Sequence, residues 1–130
     1  MSFECSLEIL IKNHKVSEIS PIALGLPSNY FSKINPITGC LSISVVDFEF
    51  QNWSEFNKFS CEFIDGLKCV VGRLMLDDSV FRVAIYYNIN ETVVLPLTLS
   101  RALIKRISDM SLSLDATGYP CSDDAAVVIE

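Results

Sequence analysis

His14 is the only histidine in the chain, so any general acid–base chemistry near neutral pH has to begin there or with a perturbed carboxylate or thiol. It sits between Lys12 and Lys15 in a turn-like stretch, where an exposed imidazole is the simplest reading. Cys40, following Gly39, could serve as a nucleophile with His14 as its base, but the sequence indicates no third group to orient the pair. Metal chemistry is no better supplied: there is no HExxH, no paired His/Cys spacing and no calcium loop, and Asp77-Asp78 alone is too short a ligand set. The five glycines never cluster into a phosphate-cradling loop. Five cysteines, Cys5, Cys40, Cys61, Cys69 and Cys121, are odd in number and lack CxxC spacing, as expected of reduced thiols acting as small apolar side chains. No catalytic residue, cofactor or metal is therefore expected, and the chain reads as a binding protein rather than an enzyme.

Charge is the more informative chemistry. Asp and Glu number 16 against 10 Lys and Arg, giving a net charge of -6; nucleic acid and anionic membranes are unfavourable partners and a basic protein is a favourable one. Arg101, Lys105 and Arg106 form the one compact basic stretch, read as a solvated helix face. The acidic residues concentrate at Asp47, Glu49, Glu55, Glu62 and Asp65, against Lys58 alone, with Asp77 and Asp78 soon after. Such a cluster either solubilises the surface or imitates phosphates toward a basic cleft, with Trp53 as a central anchor. A second possibility is a small-ligand pocket on an open sheet face carrying Tyr86 and Arg82.

These residues need a scaffold, and Val80–Tyr87, reading VFRVAIYY, is its most strand-like run. Phe81, Val83, Ile85 and Tyr87 share one face, and Val80, Arg82, Ala84 and Tyr86 the other. Phe3 to Ile11 alternates as a half-buried first strand. Ser17–Gly25 has the cap, proline and glycine of a short helix. Asn29 to Gly39 reads as a loop carrying Tyr30-Phe31. Leu41–Phe50 is a strand whose alternation changes phase near Val45-Val46, as a β-bulge would produce, leaving Asp47 and Glu49 opposite the core. Ser54 is the expected cap of a helix running to about Val71, with the stripe Phe56, Phe59, Phe63, Leu67 and Val70. Thr92–Leu95 pairs with Val80–Tyr87 as a hairpin, and Pro96 marks an edge or an end. Thr98 or Ser100 caps a second helix to Met110, its stripe being Leu99, Ala102 with Leu103, Ile107 and Met110. Ser111–Ala116 closes the sheet, and Gly118-Tyr119-Pro120 ends that strand.

With half of its 130 residues apolar, the chain suits one α+β domain over residues 1–120 with a tail over 121–130. The expected architecture is a two-layer sandwich: a mostly antiparallel sheet of about five strands, with two amphipathic helices on one face. The split βαβ, ferredoxin-like order is the simplest topology, although Pro96 favours Val80–Tyr87 over Thr92–Leu95 as the interior strand. The N-terminus lacks a secretory signal and no apolar run approaches the ~18 residues of a membrane span, so a cytoplasmic location is expected.

Two stretches, SEISPIALGLPS and LSRALIKRISDMSLSLDATGY, resemble a family of small bacterial domains of unknown function, in which a short helix ending in LG and PS follows strand one and a helix-strand unit closes the domain. Size, acidity and cysteine usage are similar, more loosely, to bacterial immunity proteins. That resemblance implies a stoichiometric inhibitor of a cognate toxin, such as a basic nuclease domain, blocked through the acidic surface.

Overall fold

The structure, a computed structural model, describes residues 2–12, 26–68, 78–91, 95 and 97–122. The expected helix over Ser17–Gly25, the strand residues Thr92–Val94, and His14, Cys69, Val70 and Asp77 lie outside the described residues. The chain folds as an α+β two-layer sandwich: among the described residues, a six-stranded mixed sheet has two helices packed on one face.

The strands are β1 (Phe3–Ile11), β2 (Tyr30–Ile34), β3 (Leu41–Val45), β4 (Phe48–Phe50), β5 (Val80–Asn88) and β6 (Ser113–Cys121); the helices are α1 (Trp53–Gly66) and α2 (Arg101–Asp109). The sheet order is β2-β3-β1-β5-β6, with β4 also pairing with β1. This makes β1 the central strand and β5 an interior one, the assignment Pro96 favoured. It departs from the split βαβ order because β1 pairs with both β3 and β5. The β5–β6 pair is parallel and needs a crossover, which α2 supplies.

Period-two alternation does its expected work in β1, where Phe3, Cys5, Leu7, Ile9 and Ile11 are buried and the residues between them meet solvent. The phase change in Leu41–Phe50 is a one-residue bulge. Ser44 lies opposite Glu8 and Phe48 opposite Cys5, so Val45, Val46 and Asp47 face only Ser6 and Leu7, three residues against two. It leaves Leu41, Ile43 and Phe50 fully buried and turns Val46 outward, 69% exposed.

Tyr30–Ile34 is a strand rather than a loop. Its half-buried Tyr30, Ser32 and Ile34 alternate with exposed Phe31 and Lys33; the breakers Pro36 and Gly39 instead build the β2–β3 turn. Asn35 caps that turn by accepting from Ile37 N at 2.9 Å, and Gly39 supplies the required left-handed φ of 74°.

Helix α1 starts two residues earlier than a Ser54 cap would place it. Asn52 is its cap, its Oδ1 accepting from Glu55 N at 2.9 Å, while the Glu55 carboxylate accepts from Gln51 N at 3.2 Å, a reciprocal capping arrangement. Phe56, Phe63, Ile64 and Leu67 face the core, whereas Phe59 from the expected stripe is 41% exposed. Ser100 caps α2 by accepting from Leu103 N at 3.2 Å, and Leu103 and Ile107 are its buried residues; Ala102 is exposed.

The helices are tied by Asn57, whose Nδ2 donates to Trp53 O and Thr98 O at 2.7 and 2.9 Å while its Oδ1 accepts from Ser100 N at 2.7 Å. After α2, Leu112 N donates to Ile107 O and Ser111 N to Ser108 O, with Ser111 at φ 54°. That is a Schellman turn with serine where glycine is usual. It delays β6 to Ser113, and β6 continues through Gly118-Tyr119-Pro120 to Cys121 instead of ending there.

Candidate functional site

The helices cover one face of the sheet, and among the described residues no element packs over the other. Strand register aligns that open face in rows. One runs Phe31, Ser44, Glu8, Arg82, Asp115 across five strands. Another runs Glu49, Glu4, Tyr86, Tyr119. Between them, Ser6, Ala84 and Thr117 form a floor of small side chains, and the dip above it has a volume of about 210 Å³. A second dip of about 600 Å³ continues from Glu8 and Arg82 to the turn at Asn35–Cys40.

The two rows differ in their electrostatics. In the first, Arg82 Nη1 lies 3.3 Å from Glu8 Oε1 and Ser42 Oγ donates to Glu8 Oε2 at 2.7 Å, so the glutamate is compensated. In the second, Glu4 and Glu49 sit directly opposite each other, both exposed, an arrangement of like charges that destabilises a strand pair. Tyr86 stacks on Tyr119 with centroids 5.4 Å apart and ring planes at 23°. The Tyr86 phenol is pushed above its ordinary value, first by burial and then by the charge of Asp47, by Tyr119 and by Glu4. Glu4, Asp47 and Glu49 thus surround one end of a tyrosine stack.

The acidic residues singled out in the sequence separate into three places. Asp47, in the bulge, and Glu49, on β4, belong to the open face. Glu55, Glu62 and Asp65 belong to the helix layer, and two of them are engaged: Glu55 in the α1 cap, Asp65 with Arg106 Nε and Nη2 at 2.8 and 3.2 Å and with Lys68 Nζ at 3.5 Å. The Arg106 hydrogen bond holds the Asp65 carboxyl below its ordinary value. Glu62 is exposed. Asp78 lies in the turn before β5, beyond the Val80 end of the strand and so about 20 Å or more from Tyr86. Trp53 is half-buried in an aromatic cluster with Phe3, Phe50 and Phe56, its ring centroids 5.2–5.9 Å from theirs. Glu4 and Tyr119 were not singled out. Glu4 lies on the polar side of the β1 alternation, but only the register shows that it meets Glu49 and Tyr86.

On the helix side, Tyr30, Val45, Val46, Phe48, Phe59 and Phe63 line an apolar groove of about 420 Å³. Among the cysteines, burial and then the Asp47 charge push Cys5 up to about 12, so it has no thiolate character near neutral pH; Cys40 and Cys61 are half-buried and Cys121 is exposed. Among the described residues no three His, Cys, Asp or Glu side chains are grouped to hold a metal ion, and no helix is long and apolar enough to cross a membrane. No family model, curated protein or solved structure matches the chain.

Proposed function

We propose that this protein acts by stoichiometric binding, engaging a basic protein surface through the acidic, tyrosine-bearing end of its open sheet face. The biological form of that activity is an immunity protein that occludes the active site of a cognate toxin, for which a nuclease domain with a cationic cleft is the fitting target. The observation that carries the reading is the Glu4–Glu49 pair. Two carboxylates opposed across an exposed strand pair break a local rule of sheet stability, and such exceptions mark functional positions. A basic partner relieves the repulsion on binding and is drawn in by the surrounding field. The Tyr86–Tyr119 stack adds the kind of rigid amphipathic surface on which interfaces anchor.

A small ligand is the weaker alternative. The dip beside Tyr86 and Arg82, at about 210 Å³, falls below the ~300–1,000 Å³ of ordinary ligand pockets; the neighbouring dip of about 600 Å³ reaches that size, but its Arg82 is already paired with Glu8.

The test is coexpression of the chain with the product of its neighbouring gene. A 1:1 complex that weakens as salt rises, and that the Glu4→Lys/Glu49→Lys variant fails to form while keeping its native circular dichroism, supports the reading. A neighbour that does not bind, or a complex indifferent to both substitutions, removes it.

A further inference from the structure

Among the described residues, strand β6 is an edge strand with no strand paired on its outer side. Ser113 N donates to Ser79 O at 3.1 Å and Cys121 O accepts from Ile89 N at 3.0 Å, so the odd-numbered residues of β6 turn their backbone groups toward β5. Alternation then aims the N–H and C=O of Leu114, Ala116 and Gly118 away from the sheet. Pro120 falls in the same outward phase, so its missing N–H costs the β5 ladder nothing and ends the outer donor row. All nine residues of β6 are exposed; Ala116 and Thr117 at its middle are small, and the Leu95 and Tyr87 side chains pack beside Gly118 on the sheet's covered face. Edges are usually blunted by lysine, by proline or by being short. The opposite edge, β2, has five residues and carries Lys33, whereas β6 has nine, with a single charge, Asp115, and Pro120 at its end.

We propose that Leu114–Gly118 is a strand-addition site, and that its occupant is an extended basic segment of the partner protein. This deepens the reading above and rests on it. Charge selects the occupant: Asp115 lies on the edge strand, the Glu4, Asp47 and Glu49 carboxylates stand behind Tyr119, and Arg82 is engaged by Glu8. A second copy fits poorly, because joining two β6 edges brings together two molecules of net charge -6. In strand addition the main chain supplies affinity and the flanking side chains supply selectivity, here for lysine or arginine at alternate positions facing Asp115 and Tyr119.

The experiment titrates the ¹⁵N-labelled full chain with the synthetic peptide acetyl-Lys-Val-Thr-Val-Lys-Val-amide and with its counterpart carrying Glu for Lys. The lysine peptide should slow hydrogen exchange at the Leu114, Ala116 and Gly118 amides by at least ~10-fold, and the glutamate peptide should leave them unchanged. Ala116→Pro removes an outward donor and should abolish the protection. Should that variant fail to fold, Asp115→Lys, which leaves the backbone intact, should weaken binding by about fivefold. Protection by both peptides alike, or by neither, overturns the inference. Protection that grows with protein concentration in the absence of peptide also overturns it, giving the edge to a second copy. Shifts confined to Glu4, Glu49 and Tyr86 overturn strand addition while leaving the acidic-face reading intact.

Discussion

Gly66 shows how one position can hold two layers together. A Cβ there would run into the Tyr30 hydroxyl, which donates to Phe63 O at 2.6 Å and fastens β2 to the end of α1. Alanine ordinarily gains about 1 kcal/mol over glycine in a helix, but overpacking costs about 1–3 kcal/mol, so Gly66→Ala should lower the denaturant midpoint. Tyr30→Phe in the same chain should recover part of the loss; a Gly66→Ala variant more stable than the parent would contradict the contact. Asp65 makes a pH-dependent contribution. Its folded pKa is depressed, mainly by the Arg106 hydrogen bond, below the ordinary 3.8. The stability it adds is therefore fully present above that ordinary value and is lost as pH falls through the lower, folded one. Because the Asp65 side chain is 38% exposed, solvent screening keeps the contribution under about 1 kcal/mol. Arg106→Gln should flatten this acid limb by lowering stability at pH 7 by up to that amount, while leaving stability below the folded pKa nearly unchanged.

Elements whose signals are local were legible in the sequence, and those fixed by distant partners were not. The alternation of β1, the bulge before Phe48 and the Ser100 cap each depend on a few adjacent residues, so composition and period reveal them. Tyr30–Ile34 was obscured because its side chains alternate over five residues beside Pro36 and Gly39, and its strand character comes from pairing with β3. The end of β6 was misplaced because Gly118 and Pro120 look like breakers until the parallel register aims the proline outward. The acidic cluster was legible in composition only. Folding sends Glu55 into a cap and Asp65 to Arg106, and brings in Glu4 from some forty residues away. Two consequences belong to the helices. Asn57→Ala strips partners from Thr98 O and Ser100 N at the α1–α2 junction and should cost about 2–3 kcal/mol in chemical denaturation. Ser111→Gly places glycine at a left-handed φ and should raise stability by roughly 0.5–1 kcal/mol; a loss would mean that the serine side chain has a role its backbone geometry does not require.

Taken whole, the molecule has one covered face and one open one. The covered face holds a continuous core from Phe3 to Leu112, with Phe50, Phe56 and Phe81 fully buried. The open face carries polar rows and opposed carboxylates, and among the described residues it is bounded on one side by the unpaired β6 edge. Stability and binding should therefore respond to the same substitution with opposite sign. Glu49→Lys turns the repulsion with Glu4 into an attraction worth about 0.2–1 kcal/mol, so it should raise the melting temperature slightly while weakening any basic partner. The most direct measurement is calorimetric titration of the neighbouring gene's product into the native chain and into Glu49→Lys, with the melting temperature of each recorded alongside. The account predicts 1:1 binding to the native chain that declines with ionic strength, and binding at least ~10-fold weaker to a variant that melts no lower. Equal affinities for the two proteins would contradict it.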